Sequence, residues 1–216
     1  LTIPTPTYQL NNADFIDENT GWYVGGLPFG SGSIVSKTTN GGLSWTNQTT
    51  TPVYTSLYRC VEMVDANTGY IAGGTLLWKT TNGGTNWNVI PTAPAVSYNS
   101  IKIFTPYTFF CGVQGQSIYK TFDGGVTWTS VTTPSPLANI FAMDWADLYN
   151  GTISGTAGYT AKTSDGGITW TERNPGSSTL TGVSMIGKDT VFTVCDRNVS
   201  GAMFRLYDNI PTVTFN

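Results

Sequence analysis

The amino-acid sequence predicts an all-β protein made of repeated four-stranded antiparallel units. The first observation is a nine-residue phrase that occurs four times. Its copies end at Trp45, Trp87, Trp128 and Trp170, which lie 42, 41 and 42 residues apart. A period of this length indicates a stack or ring of identical units. The second observation is the composition, because 25 glycines and only 11% charged residues suit short strands joined by tight turns.

Each copy of the phrase predicts a tight turn between two antiparallel strands. The central Asn or Asp is followed by Gly-Gly, a combination that tolerates the positive φ angles of a hairpin turn. Strand-like runs, such as residues 32–37 and 75–79, precede the turn, and a Trp begins the next run. A large indole in every unit suits a repeat that fills the gap between neighbours. The residues assigned to this structural role are Asn40, Trp45, Asn82, Trp87, Asp123, Trp128, Asp165 and Trp170.

A second pattern precedes each turn and raises the number of units to five. Residues 14–26 (DFIDENTGWYVGG) match residues 62–74 (EMVDANTGYIAGG), and looser copies follow at 102–112, 144–155 and 184–194. Each unit therefore reads as strand, turn, strand, loop, strand, Asx-Gly-Gly turn and strand. A four-stranded meander of about 40 residues has the size of one β-propeller blade.

We therefore predict a β-propeller of five four-stranded antiparallel blades, forming one domain over residues 1–216. Residues 1–6 resemble residues 88–94 at the outer edge of the second blade, so we expect both termini to complete the last blade and close the ring. The alternatives are a piece of a larger ring, or an array whose end strand pairs with another copy. The predicted blades span approximately residues 8–50, 51–92, 93–133, 134–174, and 175–216 together with 1–7.

The nine-residue phrase resembles the Asp-box, or bacterial neuraminidase repeat, whose pattern is roughly Ser/Thr-x-Asp-x-Gly-x-x-Trp. Asn40 and Asn82 depart from the pattern by keeping the hydrogen-bonding role of Asp without its charge. The resemblance implies a β-propeller with the boxes at its outer rim, remote from any functional centre. Asp-boxes also occur in non-catalytic propellers, including photosystem-assembly factors and many secreted bacterial proteins, so the resemblance does not imply sialidase activity.

The arginines can be compared with those of the sialidases. That family clamps a carboxylate with three arginines from different blades. This sequence contains four arginines, and only Arg59 and Arg197 fall where they could face the centre. We therefore expect no sialidase activity.

Composition excludes several other classes of function. A net charge of −3 and a sequence pI near 4.7 argue against a nucleic-acid partner. No apolar run approaches the ~18–20 residues that would insert into a bilayer. The absence of His excludes Ser-His-Asp and Cys-His catalysis and most zinc chemistry, and we expect neither a metal nor another cofactor.

The cellular location is predicted from two weaker observations. The sequence begins at Leu1, which fits a processed mature protein or an excised fragment. The resemblance also includes many secreted bacterial proteins. We therefore expect an extracellular or cell-surface location in a bacterium.

The predicted recognition surface is the face formed by the loops that lead into the first strand of each blade and by those between the second and third strands. Aromatic plates beside amide side chains suit a glycan or a protein as the bound partner. Ordinary loop residues are an equally open interpretation. The candidate ligand-binding residues are Tyr54, Tyr58, Arg59, Tyr98, Asn99, Gln114, Gln116, Tyr159 and Arg197.

One position of the first strand carries charged side chains in several blades. It is occupied by Asp14, Glu62, Lys102, Asp144 and Ser184 in turn. Glycoside hydrolysis needs two carboxylates ~5–9 Å apart, so Asp14, Glu62 or Asp144 provides a weak catalytic alternative. A solvated channel is the favoured interpretation of these charges.

Taken together, the sequence predicts a non-catalytic extracellular binding or assembly module that recognises a glycan or a protein. One alternative is a glycoside hydrolase or lyase that uses the carboxylates of the first strands. Another is a structural subunit of a surface appendage or filament, self-associating through its terminal strands.

Overall fold

The computed structural model describes residues 9–26, 32–54, 57–115, 117–134, 139–173, 178–195, 203–207 and 213–214. These ranges form 21 β-strands, and one 3₁₀ turn among them covers Thr156–Gly158. The described part of the chain is therefore all-β, as the sequence predicts. None of its helices has the length and apolarity needed to cross a bilayer.

The strands form five sheets. Sheet 1 contains β1 (Gln9–Phe15), β2 (Gly21–Gly26), β3 (Ser33–Thr38) and β4 (Thr46–Asn47). Sheet 2 contains β5 (Thr50–Thr51), β6 (Cys60–Met63), β7 (Gly69–Gly73), β8 (Leu76–Thr80) and β9 (Trp87–Val89). Sheet 3 contains β10 (Tyr98–Ile103), β11 (Phe109–Val113), β12 (Ser117–Thr121) and β13 (Thr129–Thr132).

The last two sheets follow the same plan. Sheet 4 contains β14 (Ile140–Trp145), β15 (Gly151–Gly155), β16 (Thr160–Thr163) and β17 (Thr171–Arg173). Sheet 5 contains β18 (Leu180–Ile186), β19 (Thr190–Cys195), β20 (Met203–Tyr207) and β21 (Val213–Thr214). In both sheets each strand is hydrogen-bonded to the next one along the chain.

The strand count of sheet 2 differs from the prediction. Thr50 and Thr51 of β5 pair in parallel with Trp87 and Asn88 of β9, so the link out of sheet 1 adds an edge strand to sheet 2. The structure therefore contains four four-stranded sheets rather than the five that the sequence predicts. Residues 1–7, expected to close a ring, lie outside the described residues, and closure stays a prediction.

The chain divides into two compact units. Unit 1 comprises residues 1–109 and 121–128, and unit 2 comprises residues 110–120 and 129–216. Sheets 1 and 2 belong to unit 1, and sheets 4 and 5 belong to unit 2. Sheet 3 contributes strands to both units.

The core of each unit is built from the middle strands of its sheets. Every residue of β2 and β7 is buried in unit 1, and β15 is buried throughout in unit 2. The unit 1 core contains Trp22, Trp78 and Trp87, all fully buried. In unit 2 the rings of Phe110 and Trp145 meet edge to face at 4.9 Å. Strands buried on both faces explain the continuous apolar runs that precede each box.

The Asp-box folds as a tight turn held by its own side chains. The Thr38 hydroxyl accepts a hydrogen bond from the Gly42 N–H and donates one to Asn40 Oδ1, both at 2.9 Å. Asn40 Oδ1 also accepts from the Ser44 N–H at 2.9 Å. Gly41 and Gly42 have φ angles of 68° and 84°, a region that explains the Gly-Gly pair.

The box lies at the same end of its sheet as the turn between the first and second strands. The Gly41 N–H donates to the carbonyl of Asn19 at 2.9 Å. Equivalent bonds join Gly83 to Asn67, Gly124 to Tyr107 and Gly166 to Tyr149. We call this end of each sheet the box end and the opposite end the loop end.

The lysine that opens each phrase joins neighbouring sheets. Lys37 Nζ lies 4.6 Å from the ring centre of Trp22 and donates to the carbonyl of Gly83 in the next box, at 3.1 Å. In unit 2, Lys120 Nζ lies 4.3 Å from the Phe110 ring centre and donates to the carbonyl of Gly166. Burial lowers the pKa of Lys120. These lysines therefore combine a cation–π contact with a bond to the following sheet.

Candidate functional site

At the loop end of unit 1, two of the candidate tyrosines are buried. Tyr58 is 1% exposed and Tyr98 is 0% exposed. The Tyr58 hydroxyl donates to Thr50 Oγ1 at 2.7 Å, and the Tyr98 hydroxyl donates to the carbonyl of Pro94 at 2.5 Å. Burial also raises the pKa of Tyr58. Both rings support their loops from below, which corrects the expectation that they form an exposed plate.

The remaining loop-end candidates of unit 1 differ in exposure. Tyr54 is half-buried and stacks on Tyr58, with 5.7 Å between ring centroids. Arg59 is exposed, while its backbone N–H donates to the carbonyl of Ala72 at 2.8 Å. Asn99 is half-buried. Arg59 is therefore the most accessible of this group, and a binding role for it stays a prediction.

The unit 2 candidates are also divided. Gln114 is exposed, whereas Tyr159 is only 4% exposed and cannot present its ring face to a partner. Gln116 and Arg197 lie outside the described residues.

The three candidate catalytic carboxylates connect neighbouring first strands. Their acceptor bonds come from backbone N–H groups, with Met63 donating to Asp14 Oδ2 at 2.6 Å and Ile103 donating to Glu62 Oε1 at 3.1 Å. In unit 2, the Met185 N–H donates to Asp144 Oδ2 at 2.8 Å. Each carboxylate thus has a structural task, and the geometry does not favour the hydrolase alternative.

Other reactive groups give no sign of a catalytic centre in the described ranges. Burial raises the pKa of the Cys60 thiol to about 12, so this thiol stays protonated at neutral pH. Cys111 is buried and free. Within the same ranges, no group of three or more His, Cys, Asp or Glu side chains could hold a metal ion.

Exposed apolar side chains are concentrated at the box end instead. In unit 1 the largest group lies on sheet 3, where Tyr107 is 65% exposed, Phe122 58% and Val126 65%. We call these three residues the third-box surface. Phe15 and Leu43 are exposed at the box end of sheet 1.

The turn backbone fixes the third-box surface in place. The carbonyl of Tyr107 accepts from the Gly124 N–H at 2.8 Å, and the Val126 N–H donates to Asp123 Oδ1 at 3.0 Å. Phe122 lies between Thr121 and Asp123, whose side chains are hydrogen-bonded to each other at 2.8 Å. The three apolar side chains are therefore displayed by a well-bonded turn, which lowers the entropy cost of ordering them in a complex.

Unit 2 shows the same feature independently. Tyr149 is 64% exposed and Ile168 is 83% exposed at the box end of sheet 4. The carbonyl of Tyr149 accepts from the Gly166 N–H at 2.9 Å. Leu148 and Ile186 are further exposed apolar residues at this end of unit 2.

The sequence analysis missed this surface because it assigned the boxes to a purely structural rim. A signal was present in the phrase itself. The residue after Gly-Gly is Leu43, Val126 or Ile168 in three of the four boxes, although the tip of a turn is usually polar. An apolar residue repeated at an exposed tip indicates a contact surface.

The family is decided by a sequence-profile match. The profile described as photosynthesis system II assembly factor YCF48 matches residues 1–136, more than half of the chain. The chain belongs to the YCF48 family. The sequence-based resemblance to photosystem-assembly factors is thereby confirmed. Among curated proteins, none matches the sequence.

Solved structures include two of YCF48 itself. YCF48 from Cyanidioschyzon merolae is 19% identical with a TM-score of 0.73, and the match covers 96% of this chain and 70% of that one. YCF48 bound to D1 peptide is 15% identical with a TM-score of 0.54, covering 97% of this chain and 80% of that one. The WD40 β-propeller domain of Doa1 is 7% identical with a TM-score of 0.72, covering 97% and 69%. The fold is thus a β-propeller, as the sequence predicts.

Proposed function

We propose that this protein is a non-catalytic assembly factor that binds an extended segment of a partner protein at the box end of its sheets. The observation that carries this proposal is the distribution of exposed apolar side chains. Five of them in unit 1 and four in unit 2 lie at the box end, whereas only Leu10, Val53 and Val194 lie at the loop end among the described residues.

The third-box surface suits a peptide better than a sugar. Tyr107, Phe122 and Val126 offer two aromatic rings and an aliphatic side chain, all more than half exposed. Aromatic residues are enriched in the cores of protein interfaces, where they supply much of the binding energy. Membership of the YCF48 family and the similarity to YCF48 bound to D1 peptide support a peptide partner.

The positions of the acidic residues support a non-catalytic role. Asp14, Glu62 and Asp144 are each engaged by a backbone N–H of the neighbouring first strand. A carboxylate that fastens two strands is poorly placed to act as a nucleophile or proton donor, because moving it breaks the bond that holds the strand.

Binding to a D1 peptide tests the proposal directly. We expect fluorescence anisotropy with a labelled D1 peptide to give saturable binding by the wild-type protein. The double substitution Tyr107→Ser/Phe122→Ser should weaken that binding about tenfold or more, because it removes both aromatic anchors. Each variant is also unfolded in urea, to show that its stability is unchanged.

Matched substitutions distinguish the two ends of the sheets. Val53→Ser removes an apolar side chain that is 77% exposed at the loop end of unit 1, and it should leave the affinity unchanged. Arg59→Gln tests the loop end predicted from the sequence. A loss of affinity with Arg59→Gln but not with Tyr107→Ser/Phe122→Ser would move the site to the loop end and overturn the present assignment.

Other predictions from the sequence remain proposals. Glycan recognition is tested by a glycan array beside the D1 peptide, and saturable binding of a glycan with no peptide binding would replace the proposed function. Self-association through the terminal strands predicts a mass that rises with concentration in light scattering. An extracellular or cell-surface location predicts protection of the protein from the cytoplasmic fraction during cell fractionation.

A further inference from the structure

The fourth sheet breaks a pattern that the first three sheets share. In each of those sheets the lysine that opens the box lies over an aromatic ring, with Nζ 4.3–5.3 Å from the ring centre. In sheet 4 the strand register places Thr152 between Asp144 and Lys162, where the other sheets have the ring. The lysine–ring pairs are Lys37 with Trp22, Lys79 with Tyr70 and Lys120 with Phe110.

The missing ring leaves a cavity inside unit 2. A small cavity of about 20 Å³ lies against Thr152, with Val191 of sheet 5 on its other side. Lys162, Thr171 and Arg173 line this cavity and also line an adjoining cleft of about 270 Å³. The small cavity therefore continues into a wider cleft that carries two cationic side chains.

The walls of this region carry buried hydroxyl groups without partners. Thr152 is 2% exposed, and its Oγ1 makes no hydrogen bond within the described part of the chain. Ser154, two residues along the same strand face, and Thr193, two residues along from Val191, are fully buried and equally unpartnered there. A buried hydroxyl without a partner is costly, so these groups indicate an absent hydrogen-bonding molecule.

The charges around the cleft favour an anion. Lys162 Nζ lies 3.8 Å from Asp189 Oδ1, and the Asp189 side chain is 85% exposed. A carboxylate can therefore approach this ammonium group from solvent. The pair is weak because Asp189 is so exposed, and an incoming anion can compete with it. Arg173 adds a second permanent positive charge to the lining.

We propose that this cavity and cleft bind a small oxyanion, a carboxylate or phosphate group. One oxygen of the anion occupies the small cavity and accepts a hydrogen bond from the Thr152 hydroxyl. Lys162 and Arg173 balance the charge from the cleft. A volume of about 20 Å³ holds one water-sized group, which matches a single oxygen and excludes a ring.

NMR titration with inorganic phosphate, and separately with sodium acetate, tests this site at constant ionic strength set by sodium chloride. We expect saturable shifts of the Thr152 and Thr193 amide signals. A stronger response to phosphate assigns a phosphate-bearing ligand, and a stronger response to acetate assigns a carboxylate. Equal shifts with sodium chloride alone would identify an adventitious ion only and overturn the proposal.

Substitutions at three positions sharpen the test. Thr152→Phe restores the ring found in the first three sheets and should abolish anion binding while the protein remains folded. Thr152→Val keeps the shape and removes the hydroxyl, so affinity should fall about tenfold, the effect of one hydrogen bond to a charged group. Asp189→Asn removes the competing carboxylate and should raise the affinity several-fold.

A matched control separates a built site from general charge attraction. Lys188 is exposed and pairs with Asp147 at 3.5 Å, away from the lining of the cleft. Lys188→Gln should leave the affinity unchanged, whereas Arg173→Gln should weaken it. Unchanged binding by both Thr152→Phe and Arg173→Gln would show that the anion does not occupy this cavity.

Discussion

The Asp14 carboxylate accepts a hydrogen bond from the backbone N–H of Met63, with 2.6 Å between Oδ2 and N. This bond joins β1 of sheet 1 to β6 of sheet 2. Asn12 of the same strand accepts from the Val61 N–H at 3.0 Å, so two successive outward N–H groups of β6 are satisfied by side chains of β1. First strands that do not share a sheet are thus connected by side chains.

The first prediction concerns this connection. Asp14→Ala leaves the Met63 N–H without its partner and should lower the free energy of unfolding by about 1–2 kcal/mol. Asp14→Asn keeps an acceptor oxygen and should cost less. Urea denaturation monitored by tryptophan fluorescence measures both. An Asp14→Ala variant as stable as the wild type would show that the bond contributes nothing to stability.

The second prediction uses two adjacent threonines of the first box. The Thr38 hydroxyl is buried and bonds both Gly42 and Asn40. Thr38→Val should therefore lower the free energy of unfolding by about 1–3 kcal/mol, since it leaves a buried N–H unpaired. Thr39→Val is the matched control at an exposed position and should change it by less than about 0.5 kcal/mol. Equal effects of the two substitutions would contradict the assigned role of Thr38.

The turns were predictable because their determinants are local. Asn40, Gly41 and Gly42 specify a turn by their own conformational preferences, and Thr38 lies only two residues away. The repeated spacing then predicts a series of similar sheets. The parallel pairing of Thr50 with Trp87 was not predictable, because it depends on a contact between distant segments that no repeat pattern encodes.

The candidate site was harder to predict for the same reason. Tyr58 lies in a polar loop, so the sequence favours exposure, but its ring packs edge to face on Trp78 with 5.0 Å between centroids. The carboxylate of Asp14 falls at a position that suits chemistry until the register with Met63 is known. Val126 and Ile168 were visible in the sequence, and only their exposure in three dimensions reveals a surface.

The third prediction concerns acid stability. Hydrogen bonds from the Thr127 side chain and backbone lower the pKa of Asp123 from 3.8 to about 2, and Thr169 does the same for Asp165. Because the folded-state pKa lies below the unfolded value, the stabilisation is complete above about pH 4 and is lost as the pH falls towards 2. Asp123→Asn/Asp165→Asn should therefore show a shallower loss of stability across this window.

Urea denaturation at successive pH values between 5 and 2, about the range of these titrations, measures that slope. Asn40 and Asn82 occupy the equivalent positions of the first two boxes, so an amide is compatible with the turn. Glu18→Gln, at an exposed position, controls for the removal of a carboxylate. Parallel pH curves for the double variant and the wild type would refute the prediction.

The fourth prediction concerns Gln48, which links sheet 1 to the second box. Its Oε1 accepts from the Trp87 indole N–H at 3.0 Å, and its Nε2 donates to the carbonyl of Gly83 at 3.2 Å. The third and fourth boxes differ, because the indole N–H groups of Trp128 and Trp170 donate to a carbonyl of their own box. The second box thus depends on a side chain from the preceding sheet.

Gln48→Ala should lower the free energy of unfolding by about 1–3 kcal/mol, because the fully buried Trp87 would lose the partner of its indole N–H. Gln48→Glu keeps an acceptor for the indole but loses the donor to Gly83, so it should fall between Gln48→Ala and the wild type. Gln114→Ala, at an exposed loop-end position, is the control and should change stability by less than about 0.5 kcal/mol. Since Trp87 is an intrinsic probe at the affected site, a shift of its fluorescence maximum in folded Gln48→Ala would locate the change at this link, and an unshifted maximum with unchanged stability would contradict it.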